Sequence, residues 1–153
     1  TRLQPSGSCR SRLLAFQMIF EEIEQLSLID GYNNAIEFEK LYWSELINSI
    51  KRNEHVFQFI NQCIASSIKV CAVSDMQTLY QIKKLNKLGY KDIFLVTSEE
   101  VGYEKPHPEI FHQALQKVNC AAEHVIMIGD NYEKDIKGAQ KVGIPAFQIE
   151  LND

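Results

Sequence analysis

A hydroxyl, a lysine and two carboxylates follow short apolar runs in this chain. IKVCAV ends in Ser74-Asp75, DIFLVT leads through SEEVGYE to Lys105-Pro106, and HVIMI ends in Gly129-Asp130, with Asp135 a little further on. A carboxylate held directly after an apolar strand suits a hard cation such as Mg2+. A cation, a lysine and a hydroxyl around one point suit phosphoryl transfer, where positioning and charge neutralisation on the equatorial oxygens are most of the work. Each residue also has a plainer role open to it. Ser74 or Asp75 could cap a helix beginning near Met76, Asp130 could cap as well, and Asp135 could pair with Lys134 or Lys141 on a helix surface. Lys105 could be solvated, but it stands just before Pro106-His107-Pro108-Glu109, a helix start whose positive dipole end favours an anion over a cation. His55, His107, His112 and His124 are not at metal-ligand spacing, and no cysteine is marked as a nucleophile.

The elements that must position these groups follow from the apolar pattern. LLAFQMIFEEIEQLSL (13–28) has helical spacing, Asp30-Gly31 and Asn33-Asn34 punctuate the chain, and AIEFEKLYWSELINSIK resumes a helix to about Lys51. From Asn53 onward, short β-rich runs alternate with amphipathic stretches, an αβαβαβαβ order. Strands apolar on both faces, alternating with helices, predict a parallel sheet covered by helices. Gly89 and Gly143 stand where helices should end. The predicted division is a helical part over residues 1–52 and an α/β part over 53–153, with ligands bound beyond the carboxyl ends of the strands.

Composition narrows the classes. With 153 residues, 45% of them hydrophobic, the chain has the apolar content of a folded domain rather than of a disordered segment. Its 16 basic and 20 acidic residues are interspersed, so nucleic acid is not an expected partner. The four cysteines, Cys9, Cys63, Cys71 and Cys120, form no C-x-x-C pair, and Cys63 and Cys71 lie in apolar runs, which predicts a reducing, cytoplasmic setting. No apolar run approaches the ~20 residues that span a bilayer, and TRLQPSGSCRSR lacks the apolar stretch of a signal peptide, so no membrane association is expected.

Taken together, VCAVSD, TSEEVGYEKPHPEIFHQAL and VIMIGDNYEKDIKGAQKVGIPAF resemble motifs II, III and IV of the haloacid dehalogenase-like (HAD) hydrolase superfamily, in order and at fitting separations. The resemblance covers residues 52–150 and implies a Rossmann-like parallel sheet. The helices before it resemble the small cap of phosphatase-like members. It implies that Ser74 hydrogen-bonds a phosphoryl oxygen and that Lys105 neutralises the phosphate and the nucleophile. It further implies that Asp130 ligates Mg2+, with Asp135 supporting through water or Lys105, and that Asn131 helps orient the metal site. The implied activity is Mg2+-dependent hydrolysis of small phosphorylated metabolites. A phosphate-accepting receiver domain uses similar groups, but there the acidic residues precede the hydroxyl and the lysine, whereas here Asp130 and Asp135 come last.

One family element is missing from these 153 residues: the D-x-D-x-T string that carries the nucleophilic aspartate. Leu28-Ile29-Asp30-Gly31 has leucine at the nucleophile position and lies in a helical pattern. No nucleophile is therefore assigned, and the chain by itself is expected to be inactive, since loss of such a residue costs many orders of magnitude in rate. In the family, that motif ends a first strand lying between the strands that end at Ser74 and Asp130. Its absence predicts two strands with unpaired edges, to be completed by a further segment or another chain. TRLQPSGSCRSR, with Pro and Gly, is a poor candidate for the strand. The alternative is a non-catalytic binding or scaffold protein that keeps the fold and an anion site. Arg10, Arg12, Tyr42 and Trp43 are positions where the cap could meet a substrate, although helix packing is the ordinary role of the two aromatics.

Overall fold

The computed structural model describes residues 11–23 and 25–150. Helix α1 (Arg12–Glu21) is capped by Ser11, whose hydroxyl accepts the N–H of Leu14. Helix α2 (Leu28–Ser49) starts at Ser27, whose Oγ accepts the N–H of Asp30 and donates to the Asp30 carboxylate. This reciprocal cap fixes the start of α2, so α1 ends at Glu21 and α2 begins at Leu28. The expected punctuation at Asp30-Gly31 and Asn33-Asn34 lies inside α2 instead. Gly31 is buried there against Phe20 of α1, where a Cβ would make an ordinary contact of 3.4 Å with the Phe20 carbonyl oxygen, and it lies inside the helix and does not end it. Phe16 and Phe20 meet Phe38 edge to face at 6.0 and 5.1 Å between ring centroids, closing the hairpin.

Helix α3 (Glu54–Ala65), capped by the Asn53 side chain, leads into the α/β part. There the order is β1 (Cys71–Ser74), α4 (Thr78–Leu88), β2 (Phe94–Thr97), α5 (Ser98–Val101), α6 (Pro108–Val118), β3 (Met127–Gly129), a π-turn at Tyr132–Ile136 running into α7 (Lys137–Gln140), and β4 (Ala146–Gln148). This is the alternation the sequence predicts. Gly89 ends α4 in the left-handed region at φ 83°, where a side chain would be strained. The aromatic stack of Trp43 on Tyr80, centroids 4.0 Å apart and 12° from parallel, fastens α2 to α4 and so joins the helical hairpin to the α/β part.

The strands form two parallel ladders. β1 pairs with β2 in the register Ser74 to Thr97, and β3 pairs with β4 in the register Gly129 to Gln148. No ladder bond joins the two pairs among the described residues. Both nevertheless rest on one core of Val96, Ile110, Phe111, Ala114, Ala139 and Ile144, against which Cys71 and Val73 of the first ladder and Met127 and Ala146 of the second are packed. Helix α6 supplies half of that core, Ile110, Phe111 and Ala114, because these residues and the buried Val118 share one face. The expectation that every strand is covered on both faces holds only in part: Ile128 and Phe147 of the second ladder remain exposed.

Candidate active site

Both ladders end at one place, and Lys105 is its centre. The Lys105 ammonium donates to Asp135 Oδ1 at 2.7 Å and to the Val73 carbonyl oxygen at 3.0 Å. An ammonium has three N–H bonds, so one donor is left for an anion among the described contacts. Asp135 is buried, at 4% exposure, and its Oδ2 accepts the Asn131 N–H at 3.1 Å. Its reach to Lys105 depends on Gly129, because a Cβ at that position would lie 2.5 Å from the Asp135 Cβ. Asp135 therefore pairs with Lys105 across the two ladders and not with Lys134 or Lys141 on a helix surface.

Ser74 lies between Val73, whose carbonyl meets the Lys105 ammonium, and Asp75, whose Oδ1 accepts the Lys105 backbone N–H at 2.8 Å. It is half-buried, and its hydroxyl makes no hydrogen bond among those of the described residues. The capping role open to Ser74 and Asp75 is not realised: α4 begins only at Thr78, with no side-chain cap, and Glu99 Oε2 accepts the Thr78 N–H at 2.7 Å. Asp130 follows β3 directly and is exposed, with its backbone carbonyl held by the Gln148 amide at 3.0 Å. Asn131 caps the π-turn, accepting the Lys134 N–H at 2.9 Å. The peptide between Lys105 and Pro106 is cis.

Sequence reasoning did not bring Asp75, Lys134 and Glu104 together. Lys134 Nζ stands 2.8 Å from Asp75 Oδ2 and 3.4 Å from Glu104 Oε2. The signal available was Asp75 itself, an acidic residue directly after an apolar strand, read only as a cap. Cys71 opens β1 at the end away from this site, and burial pushes its thiol up to about 11, outweighing the opposing pull of Lys117 and joined by the charge of Glu100. It is a neutral packing residue.

The residues fit an anion better than a closed metal site. Both oxygens of Asp135 are engaged, and no group of three His, Cys, Asp or Glu side chains able to hold a metal occurs among the described residues. Asp130 alone does not make up a Mg2+ coordination set among the described residues.

The model of the family described as haloacid dehalogenase-like hydrolase matches residues 14–149. The chain belongs to this family. Among its relatives, the glyceraldehyde 3-phosphate phosphatase of Methanothermobacter thermautotrophicus is 39% identical over 79 residues, covering 50% of this chain and 35% of that enzyme. The ribulose-1,5-bisphosphate 5-phosphatase of Halopiger xanaduensis is 28% identical over 122 residues, covering 78% of this chain and 51% of that enzyme. The chain thus spans between about a third and about half the length of these HAD-like relatives. A 2-haloacid dehalogenase from Pseudomonas syringae pv. Tomato DC3000 superposes with a TM-score of 0.76 at 21% identity, over 90% of this chain and 57% of that one. At that identity the likeness establishes the shared fold, a Rossmann-like core with a helical cap.

Proposed function

We propose that this chain carries the phosphate-binding half of a HAD-type phosphatase acting on small phosphorylated metabolites. The observation that carries the reading is the Lys105 ammonium, fixed by Asp135 and by the carbonyl of Val73, the residue before Ser74, and left with one donor among the described contacts. In this reading Lys105 and Ser74 hold the phosphoryl oxygens and offset the charge that grows as the ester P–O bond breaks. Asp135 keeps Lys105 in place. Asp130 is the carboxylate this chain offers to Mg2+, and the rest of the coordination comes from outside the described residues. The naming of two relatives as phosphatases of sugar or triose phosphates supports the substrate class.

The reading includes a further strand between β1 and β3. Among the described residues each of these strands is bonded on one side only, both lead into the Lys105–Asp135 pair, and a bare row of N–H and C=O groups is a template for another strand. That strand brings the attacking carboxylate, so the chain is inactive until it is added.

The test is phosphate release from a panel of small phosphomonoesters in the presence of Mg2+. The chain is compared with the chain fused to an N-terminal strand carrying D-x-D-x-T. The expected result is turnover by the fusion, lost on Asp130→Ala or Lys105→Met. Turnover by the chain alone overturns the strand requirement. No turnover by a folded fusion overturns the phosphatase reading in favour of a non-catalytic binding protein.

A further inference from the structure

Around the proposed phosphate site lies a second layer of charge. Asp75 is bound at both oxygens: Oδ1 accepts the backbone N–H of Lys105 at 2.8 Å, and Oδ2 meets the Lys134 ammonium at 2.8 Å. Its side chain is only 10% exposed, and that of Glu104, which also faces Lys134, only 9%. Two nearly buried carboxylates thus flank the lysine that the preceding section assigns to an anion. An uncompensated negative charge there would oppose any phosphate, because like charges repel strongly where water is largely excluded. Lys134 comes from the π-turn after β3, Asp75 from the end of β1, and Glu104 from the segment leading to Lys105. One ion-pair cluster therefore spans the carboxyl ends of both ladders.

We infer that Asp75 and Lys134 form a positioning clasp for Lys105. Asp75 holds the Lys105 backbone so that its ammonium reaches Asp135 and the Val73 carbonyl. Lys134 cancels the carboxylate charge that this hold brings close to the anion. Neither residue is asked to touch phosphate. The inference rests on the proposed role of Lys105 as the phosphate cation and adds the device that sets its position and local charge.

This division of labour makes a prediction that a merely structural pair would not. Asp75→Asn keeps an oxygen to accept the Lys105 N–H and loses only the charge, whereas Asp75→Ala loses both. Lys134→Met leaves the carboxylate charge uncompensated, so adding Asp75→Asn to it should restore what Lys134→Met removed.

The experiment is calorimetric titration of inorganic phosphate into the 153-residue chain and into these variants, with Lys105→Met as the reference and a thermal-unfolding control for each. The expected pattern is a loss of at least about 10-fold in affinity for Asp75→Ala and for Lys134→Met, a factor equivalent to about 1.4 kcal/mol. Asp75→Asn should stay within about 3-fold of the parent, and the Asp75→Asn/Lys134→Met double variant should bind better than Lys134→Met alone. If Lys105→Met abolishes binding while Asp75→Ala and Lys134→Met leave it unchanged, the clasp is overturned and the phosphate site stands. A double variant no better than Lys134→Met overturns the charge-cancelling role. If the parent chain binds no phosphate, or Lys105→Met binds it equally well, the phosphate reading falls and the clasp falls with it. Should Asp75→Ala fail to fold, the comparison of Lys134→Met with the double variant decides.

Discussion

At the scale of single residues, the site turns on one buried ion pair. Lys105 and Asp135 have side chains exposed by only 13% and 5%, so removing one partner strands a charge that has little access to water. Asp135→Ala is expected to destabilise the fold by about 3–5 kcal/mol, measured by denaturant unfolding. A cost below about 1 kcal/mol would show that Lys105 finds another partner or water. The sequence made Lys105, Asp130 and Ser74 visible as chemistry because each follows an apolar run or precedes a helix start. For Asp135 it offered two partners, a neighbouring lysine on a helix surface or, by the family resemblance, Lys105, and for Asp75 an adjacent helix made only a cap plausible. Both were decided by partners that lie near only in space, Lys105 for Asp135 and the Lys105 backbone with Lys134 for Asp75.

At the scale of elements, two glycines let helix and loop come close enough to build the site. A Cβ at Gly129 would lie 2.6 Å from an Asp135 carboxylate oxygen, and one at Gly138 would lie 2.7 Å from the Phe111 ring and 3.1 Å from the Pro106 Cα. Gly138→Ala is therefore expected to push α7 from α6 and the Lys105-Pro106 segment, costing about 1–3 kcal/mol of stability in denaturant unfolding. Phe111→Ala should cost about 3–5 kcal/mol by leaving a cavity in the core beneath both ladders. An unchanged unfolding midpoint for either variant would contradict the packing described. The alternation of helix and strand was legible because period-2 and period-3.6 apolar patterns are local. The boundary between α1 and α2 was not, because Gly31 reads as punctuation until its burial against Phe20 is seen.

At the scale of the whole molecule, a helical hairpin is fastened to an α/β part by the stack of the chain's one tryptophan on Tyr80. Burial first, and then the hydrogen bond and charge of Glu39, push the Tyr80 phenol up to about 12 from its ordinary value of 10.0. The folded chain holds that proton more tightly than the unfolded one. The associated stability is therefore complete below pH 10 and is lost as pH rises through about 12. Tryptophan fluorescence followed against pH should report loosening of the stack in that window, and a transition completed below pH 10 would contradict the assignment. The two ladders share a core but no ladder bonds among the described residues. No helix among the described residues is long and apolar enough to cross a membrane. The central claim is that Lys105, held by Asp135 and Val73, is the cation of a phosphate site. Its most direct test is the calorimetric comparison of inorganic phosphate binding by the chain and by Lys105→Met. Saturable binding by the chain, weakened at least about 10-fold by the substitution, is the predicted result. Equal binding by the two, or none by the chain, would contradict it.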